Sequence, residues 1–154
     1  PRLDLLNIVT EKYNQAGGKI AFSMTFQDST GEYPYDISSL QGFLPIDAIS
    51  APLGVFGTIL PGAEVRPAAT NDFPILRTVG SIQYVRSLTE NNIIAENIYD
   101  LFDRDGIRLG NVAFRTRTKN LFFIGMPLNQ CNGGQANVSV LLTKIFFEDF
   151  GVTP

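Results

Sequence analysis

The residues with the most chemistry to offer lie together in the run Asn129-Gln130-Cys131-Asn132-Gly133-Gly134-Gln135. It supplies amides, the chain's one thiol and flexible glycines. It follows an apolar, strand-like run and precedes an amphipathic segment, the position at which α/β sheets hold ligands. Backbone N–H groups at the start of a helix there would meet an anion. Asn129, Gln130, Cys131, Asn132 and Gly133 are therefore the candidate ligand-binding residues. The same composition also describes a plain polar strand-to-helix loop. Cys131 becomes a nucleophile only where a base, a cation or a helix terminus stabilises its thiolate. The sequence holds no histidine, which removes the usual partner, so a free thiol is the simpler reading.

Other groups carry less. Asp100, Asp103 and Asp105-Gly106 outline a calcium loop, but Leu101 stands where that pattern needs a second acid. Asp-Gly at this point reads better as a hairpin turn. Asp28, Glu32, Asp36 and Asp47 are acids in loop-like sequence. Two carboxylates at a suitable separation would hydrolyse a glycoside, although acids in loops are usually just solvated. Asn137-Val138-Ser139 matches a glycosylation sequon, and capping of a helix accounts for it better. No catalytic residue, metal-ligand set or cofactor motif is assigned. One cysteine closes no internal disulfide, and one Cys without His makes no zinc site.

Composition narrows the class. The chain has 154 residues, 44% apolar and 18% charged, which suits a single domain with a sizeable core. The charged share is below the usual figure of about 25%. Twelve phenylalanines and few charges point to strands buried on both faces or to a surface covered by something else. The net charge is −3 and the cations are scattered, which argues against a nucleic-acid partner. Arg115, Arg117 and Lys119 alternate as on a solvated strand face. No run approaches the 18 or so apolar residues that a membrane-spanning helix needs.

The positioning elements follow from periodicity. Leu5, Ile8, Val9, Lys12 and Tyr13 predict a helix over residues 3–15, stopped by Gly17-Gly18. Residues 19–26 read as a buried central strand with helices over both faces. Residues 27–35 read as a loop. Residues 36–74 are broken by prolines and glycines, with Val55 to Leu60 the best strand there. An extended stretch is expected within 75–88, and Glu90-Asn91-Asn92 as a turn. Residues 93–102 and 107–117 predict a hairpin about Asp103-Arg104-Asp105-Gly106. Leu121 to Gly125 is a continuous apolar run of the central-strand kind. From Asn137, a plausible N-cap, Val138, Leu141, Leu142, Ile145, Phe146 and Phe150 hold one helix face, with Glu148 and Asp149 outward and Gly151 as stop.

Two stretches resemble a known family. Residues 13–26, YNQAGGKIAFSMTF, look like the helix-Gly-Gly-strand unit of class I glutamine amidotransferase-like domains. The run GNVAFRTRTKNLFFIGMPLNQ, continuing to Gly151, resembles their close. The resemblance covers about half of the chain. It implies an α/β, flavodoxin-like three-layer sandwich, here with an added antiparallel β-hairpin region and incomplete at the N-terminus. The family's Gly-x-Cys-x-Gly elbow and its His are absent, and Cys131 follows the last strand instead of the elbow strand. The resemblance thus implies either a non-catalytic version or the C-terminal part of a larger protein. Its wider context is the large extracytoplasmic and carbohydrate-active proteins of bacteria.

The leading expectation is a single domain, 1–154, acting as a non-catalytic interaction or scaffold module. Its partner is another protein or an upstream part of the same polypeptide. Two alternatives remain: the C-terminal portion of a hydrolase or amidotransferase-like enzyme with its nucleophile before residue 1, and a carbohydrate-binding accessory domain. The last would want exposed aromatics such as Tyr33, Tyr35 or Tyr99.

Overall fold

A computed structural model describes residues 18–25, 44–68, 71–133 and 137–152. The helix expected over residues 3–15 lies outside these, as do the whole of the loop 27–35, with Asp28, Glu32, Tyr33 and Tyr35, and Asp36.

The described residues are mostly strand, 44% against 14% helix. A six-stranded sheet runs in the order β1-β10-β9-β8-β4-β5. Its members are β1 (Ile20–Ser23), β4 (Glu64–Pro67), β5 (Leu76–Arg77), β8 (Ala95–Phe102), β9 (Arg108–Thr116) and β10 (Leu121–Ile124). Only the β1–β10 pairing is parallel; all others are antiparallel. Two short antiparallel ribbons accompany it: β2 (Ile46–Pro52) with β7 (Arg86–Glu90), and β3 (Thr58–Ile59) with β6 (Ile82–Gln83). The single α-helix among the described residues, α1 (Asn137–Thr143), continues as a π-helical turn over Lys144–Asp149.

The flavodoxin-like α/β three-layer sandwich is therefore corrected: this is a curled, mixed and mainly antiparallel sheet. The misreading has a clear cause. In Leu121-Phe122-Phe123-Ile124 every residue is buried, as the continuous apolar run predicted. Phe122 and Ile124 join the core beneath α1, with Val112, Leu141, Ile145 and Phe150. Leu121 and Phe123 join a second core with Ile46, Ile49 and Leu88 of the β2–β7 ribbon. Successive side chains point to opposite faces of a strand, so a continuous run reports that both faces are covered. It does not report whether a helix or a strand ribbon covers them.

Residues 19–26, expected as a buried central strand, instead contribute the half-buried β1 at the end of the described strand order, while the β8–β9 hairpin forms as expected. Asp103 caps the β8–β9 turn, its Oδ1 accepting from the N–H groups of Asp105 and Ile107, each at 2.9 Å. Asp100 accepts from Arg108 across the same hairpin at 3.0 Å, so the calcium-loop acids are spent on the turn and an ion pair.

The final helix departs from simple periodicity. Its π turn shifts the last residues around the axis. Phe146 is consequently exposed while Phe150 is buried. Asp149, expected to face outward, has its carboxylate only 5% exposed. It accepts two hydrogen bonds from Arg115 Nη1, at 3.0 and 3.1 Å. Arg115 also donates to Glu96 Oε1 from Nε, at 3.1 Å, and from Nη2, at 2.5 Å. One arginine on β9 thus pins the helix end to the sheet.

Candidate functional site

The loop after β10 is built as a structural corner. A 3₁₀ turn, Leu128–Gln130, follows Pro127. Ser23 Oγ donates to Met126 O at 2.7 Å and accepts from Leu128 N at 2.8 Å, tying the turn to the end of β1. On its other side Val79 N donates to Gln130 O and Gly133 N donates to Arg77 O, both at 2.9 Å. Asn132 bridges to Arg77. The five predicted residues therefore separate. Asn129, Asn132 and Gly133 are exposed, and Gln130 is half-buried. Cys131 is fully buried, its Sγ lying 3.4 Å from Pro127 O. Burial pushes its thiol up to about 12, so it stays protonated at neutral pH and lacks the thiolate a nucleophile requires. The siting rule that suggested this loop belongs to parallel sheets, and β10 is parallel to β1 alone.

Asn137 lies within α1, and its Nδ2 donates to Ile75 O at 2.5 Å. It anchors the helix start to the segment before β5. Tyr99 is no exposed aromatic: it is buried, and its hydroxyl donates to Pro74 O at 2.6 Å.

Charge is largely consumed internally. A cavity of about 480 Å³ beside Phe73 is lined by Asp72, Arg115, Lys119, Glu148 and Asp149. Arg115 serves Glu96 and Asp149, while Lys144 pairs with Asp72 at 3.0 Å and Glu148 at 3.6 Å. The Lys144 hydrogen bond holds the Asp72 carboxyl below its usual range. Arg117 donates to Asn92 O at 2.8 and 3.2 Å. Among the described residues no group of acids, Cys or His could hold a metal ion, and no helix is long and apolar enough to cross a membrane.

The feature that sequence reasoning missed is the approach to β3. Val55 to Leu60 looked like a strand, yet Val55 and Thr58 close a two-residue hairpin. Val55 N donates to Thr58 O at 2.9 Å and Thr58 N to Val55 O at 3.0 Å. The intervening Phe56 and Gly57 have φ of 50° and 75°, the signs of a type I′ turn. Such turns favour Asn or Asp at the first position, since positive φ crowds a Cβ. Phe is among the worst residues to put there, and its ring is also wholly exposed, at 102%. Val55 beside it is 56% exposed. Gly54 completes the tip at φ 92°, so close to the opposing strand that a Cβ would meet Thr58 O at 2.2 Å. The signal was present in the spacing Gly54-Val55-Phe56-Gly57, one glycine just before the hairpin and one inside its turn.

Two clefts flank this tip. One, of about 270 Å³, runs between it and the β8–β9 turn, lined by Val55, Ile59, Leu109 and Asp103-Arg104-Asp105. The other, of about 480 Å³, lies between the β3–β6 ribbon and the corner loop, and Gln130 borders it. Tyr84, immediately after β6, lines this second cleft with φ of 64°. Two aromatic residues in strained backbone thus stand at the same end of one small ribbon.

The chain was compared with family models, characterised proteins and solved structures, and none of them matches it.

Proposed function

We propose that this chain is a non-catalytic interaction module that docks a protein partner through the Val55–Phe56 tip. The observation behind this is Phe56, a fully exposed aromatic on backbone that disfavours it. A lone exposed apolar residue needs no explanation. An exposed apolar residue held in strained backbone does, because strain persists where the surrounding structure imposes it and clusters at sites of function. A rigid aromatic at a convex tip is the form of an interface anchor, which fills a pocket on the partner at little entropic cost. The sealed, protonated Cys131 and the absence of histidine favour recognition over catalysis.

Phe56→Asn tests the reading, because Asn suits the first position of a type I′ turn. The substitution should leave urea stability equal or raise it by about 1 kcal/mol. Benzoylphenylalanine placed at position 56 in the producing cells should photo-crosslink to one discrete protein. Affinity for that protein should fall at least tenfold in Phe56→Asn. Unchanged affinity, or a marked loss of stability, would show that Phe56 serves the fold instead.

A further inference from the structure

The cleft between the β3–β6 ribbon and the corner loop carries chemistry of its own. Among the described residues, Thr25, Thr58, Ser81, Gln83, Tyr84 and Gln130 line it together with Ile82 and Pro127, and none of these is charged. None of the six polar side chains has a hydrogen-bond partner among the described residues. From these observations we infer that the cleft binds a neutral saccharide.

The described lining offers charged ligands no counter-charge. A phosphate or carboxylate ligand would find no Lys or Arg there. A cation would find no carboxylate. A purely apolar ligand would pack on Ile82 and Pro127 but leave the polar side chains it covers without partners, at a cost in each. A saccharide satisfies them instead. Its hydroxyls donate and accept, as do the hydroxyls of Thr, Ser and Tyr, and the Gln amides offer both roles. Its C–H faces pack on an aromatic ring, which Tyr84 supplies. A volume of about 480 Å³ lies within the range of small-ligand clefts.

Two backbone features hold the arrangement. Tyr84 sits at φ 64°, a region where a bulky residue is an outlier and a mark of imposed conformation. Gly80 leaves room for the Gln130 amide: a Cβ at position 80 would lie 2.8 Å from Gln130 Oε1. The Gln130 carbonyl is fixed at the same time by Val79 N at 2.9 Å. Gln130 thus borders the cleft, while its neighbour Cys131 is sealed in the core.

The test is a glycan array of neutral and acidic glycans probed with the 154-residue chain, followed by amide NMR titration with the best neutral glycan. Saturable binding of a neutral glycan is expected, with the Ser81, Tyr84 and Gln130 amides shifting. Tyr84→Ala should weaken it at least tenfold. Gly80→Ala, which displaces the Gln130 amide and removes no lining side chain, should weaken it several-fold. Binding to no neutral glycan would overturn the inference. So would equal binding of acidic glycans, or full retention of affinity in both variants. Phe56→Asn should leave glycan affinity unchanged, so the protein-docking reading and this one fail separately.

Discussion

Gly54→Ala strikes the Val55–Phe56 tip at its narrowest point. The new Cβ would lie 2.2 Å from the Thr58 carbonyl oxygen and 2.7 Å from its carbon. Carbon and oxygen approach comfortably to about 3.3 Å, so the turn must open by about 1 Å. That opening sacrifices the two Val55–Thr58 hydrogen bonds, which contribute about 0.5–1.5 kcal/mol each. The φ of 92° costs an L residue about 1–2 kcal/mol more. The sum is about 2–5 kcal/mol. Gly57→Ala is the control. Its φ of 75° is also positive, but the nearest atom to a Cβ there, Pro52 Cβ, is at an ordinary 3.4 Å. Only the conformational cost remains, about 1–2 kcal/mol. Urea unfolding of the two variants at a common slope should therefore separate them by about 1–3 kcal/mol. Equal stabilities would refute the account, because they would mean that the tip is not closed against Thr58. Crosslinking from position 56 should fall in Gly54→Ala more than in Gly57→Ala, since the first opens the turn that presents the ring.

Two further outcomes follow from buried polar groups. Arg115→Met should destabilise by about 2–4 kcal/mol, because it strands the Asp149 carboxylate, 5% exposed, without its cation. A double-mutant cycle with Asp149→Asn should return a coupling of about 1–3 kcal/mol, and additive losses would show that the pair is incidental. Stability should also fall in alkali. The Cys131 thiol ionises near 9.0 when unfolded and near 12 when buried, so between those values the native state holds the proton that the unfolded chain has lost. The stabilisation is complete below pH 9 and is lost as pH rises towards 12, amounting to about 1.4 kcal/mol by pH 10. Burial raises the Tyr99 hydroxyl as well and acts in the same direction above its ordinary value. Cys131→Ala should flatten the curve between pH 9 and 10; a curve parallel to that of the unmodified chain would mean the thiol is not sealed.

The sequence by itself determined whatever depends on near neighbours. Asp103 and Asp105-Gly106 specify a hairpin because a carboxylate can accept from N–H groups two and four residues on, without help from the rest of the chain. Leu121 to Ile124 specify a strand covered on both faces, because the residues alternate between faces. With no His and a single Cys, these 154 residues by themselves supply neither a Ser-His-Asp triad nor a Cys/His zinc set. Residues distant in sequence decided the remainder. Nothing within Leu121 to Ile124 says that Ile49 and Leu88 cover one face as a strand ribbon, so an α/β sandwich and this curled sheet read alike locally. Periodicity placed Asp149 in solvent; the π turn and Arg115, 34 residues away, brought it inside. Val55 to Leu60 scored as a strand by composition, and only Thr58 closing on Val55 turned it into an exposed tip. Gln130 and Cys131 are adjacent in sequence, yet the corner loop faces one into a cleft and seals the other in the core. Which of them could meet a ligand was a question of packing, and packing is set by contacts that the sequence pattern does not record.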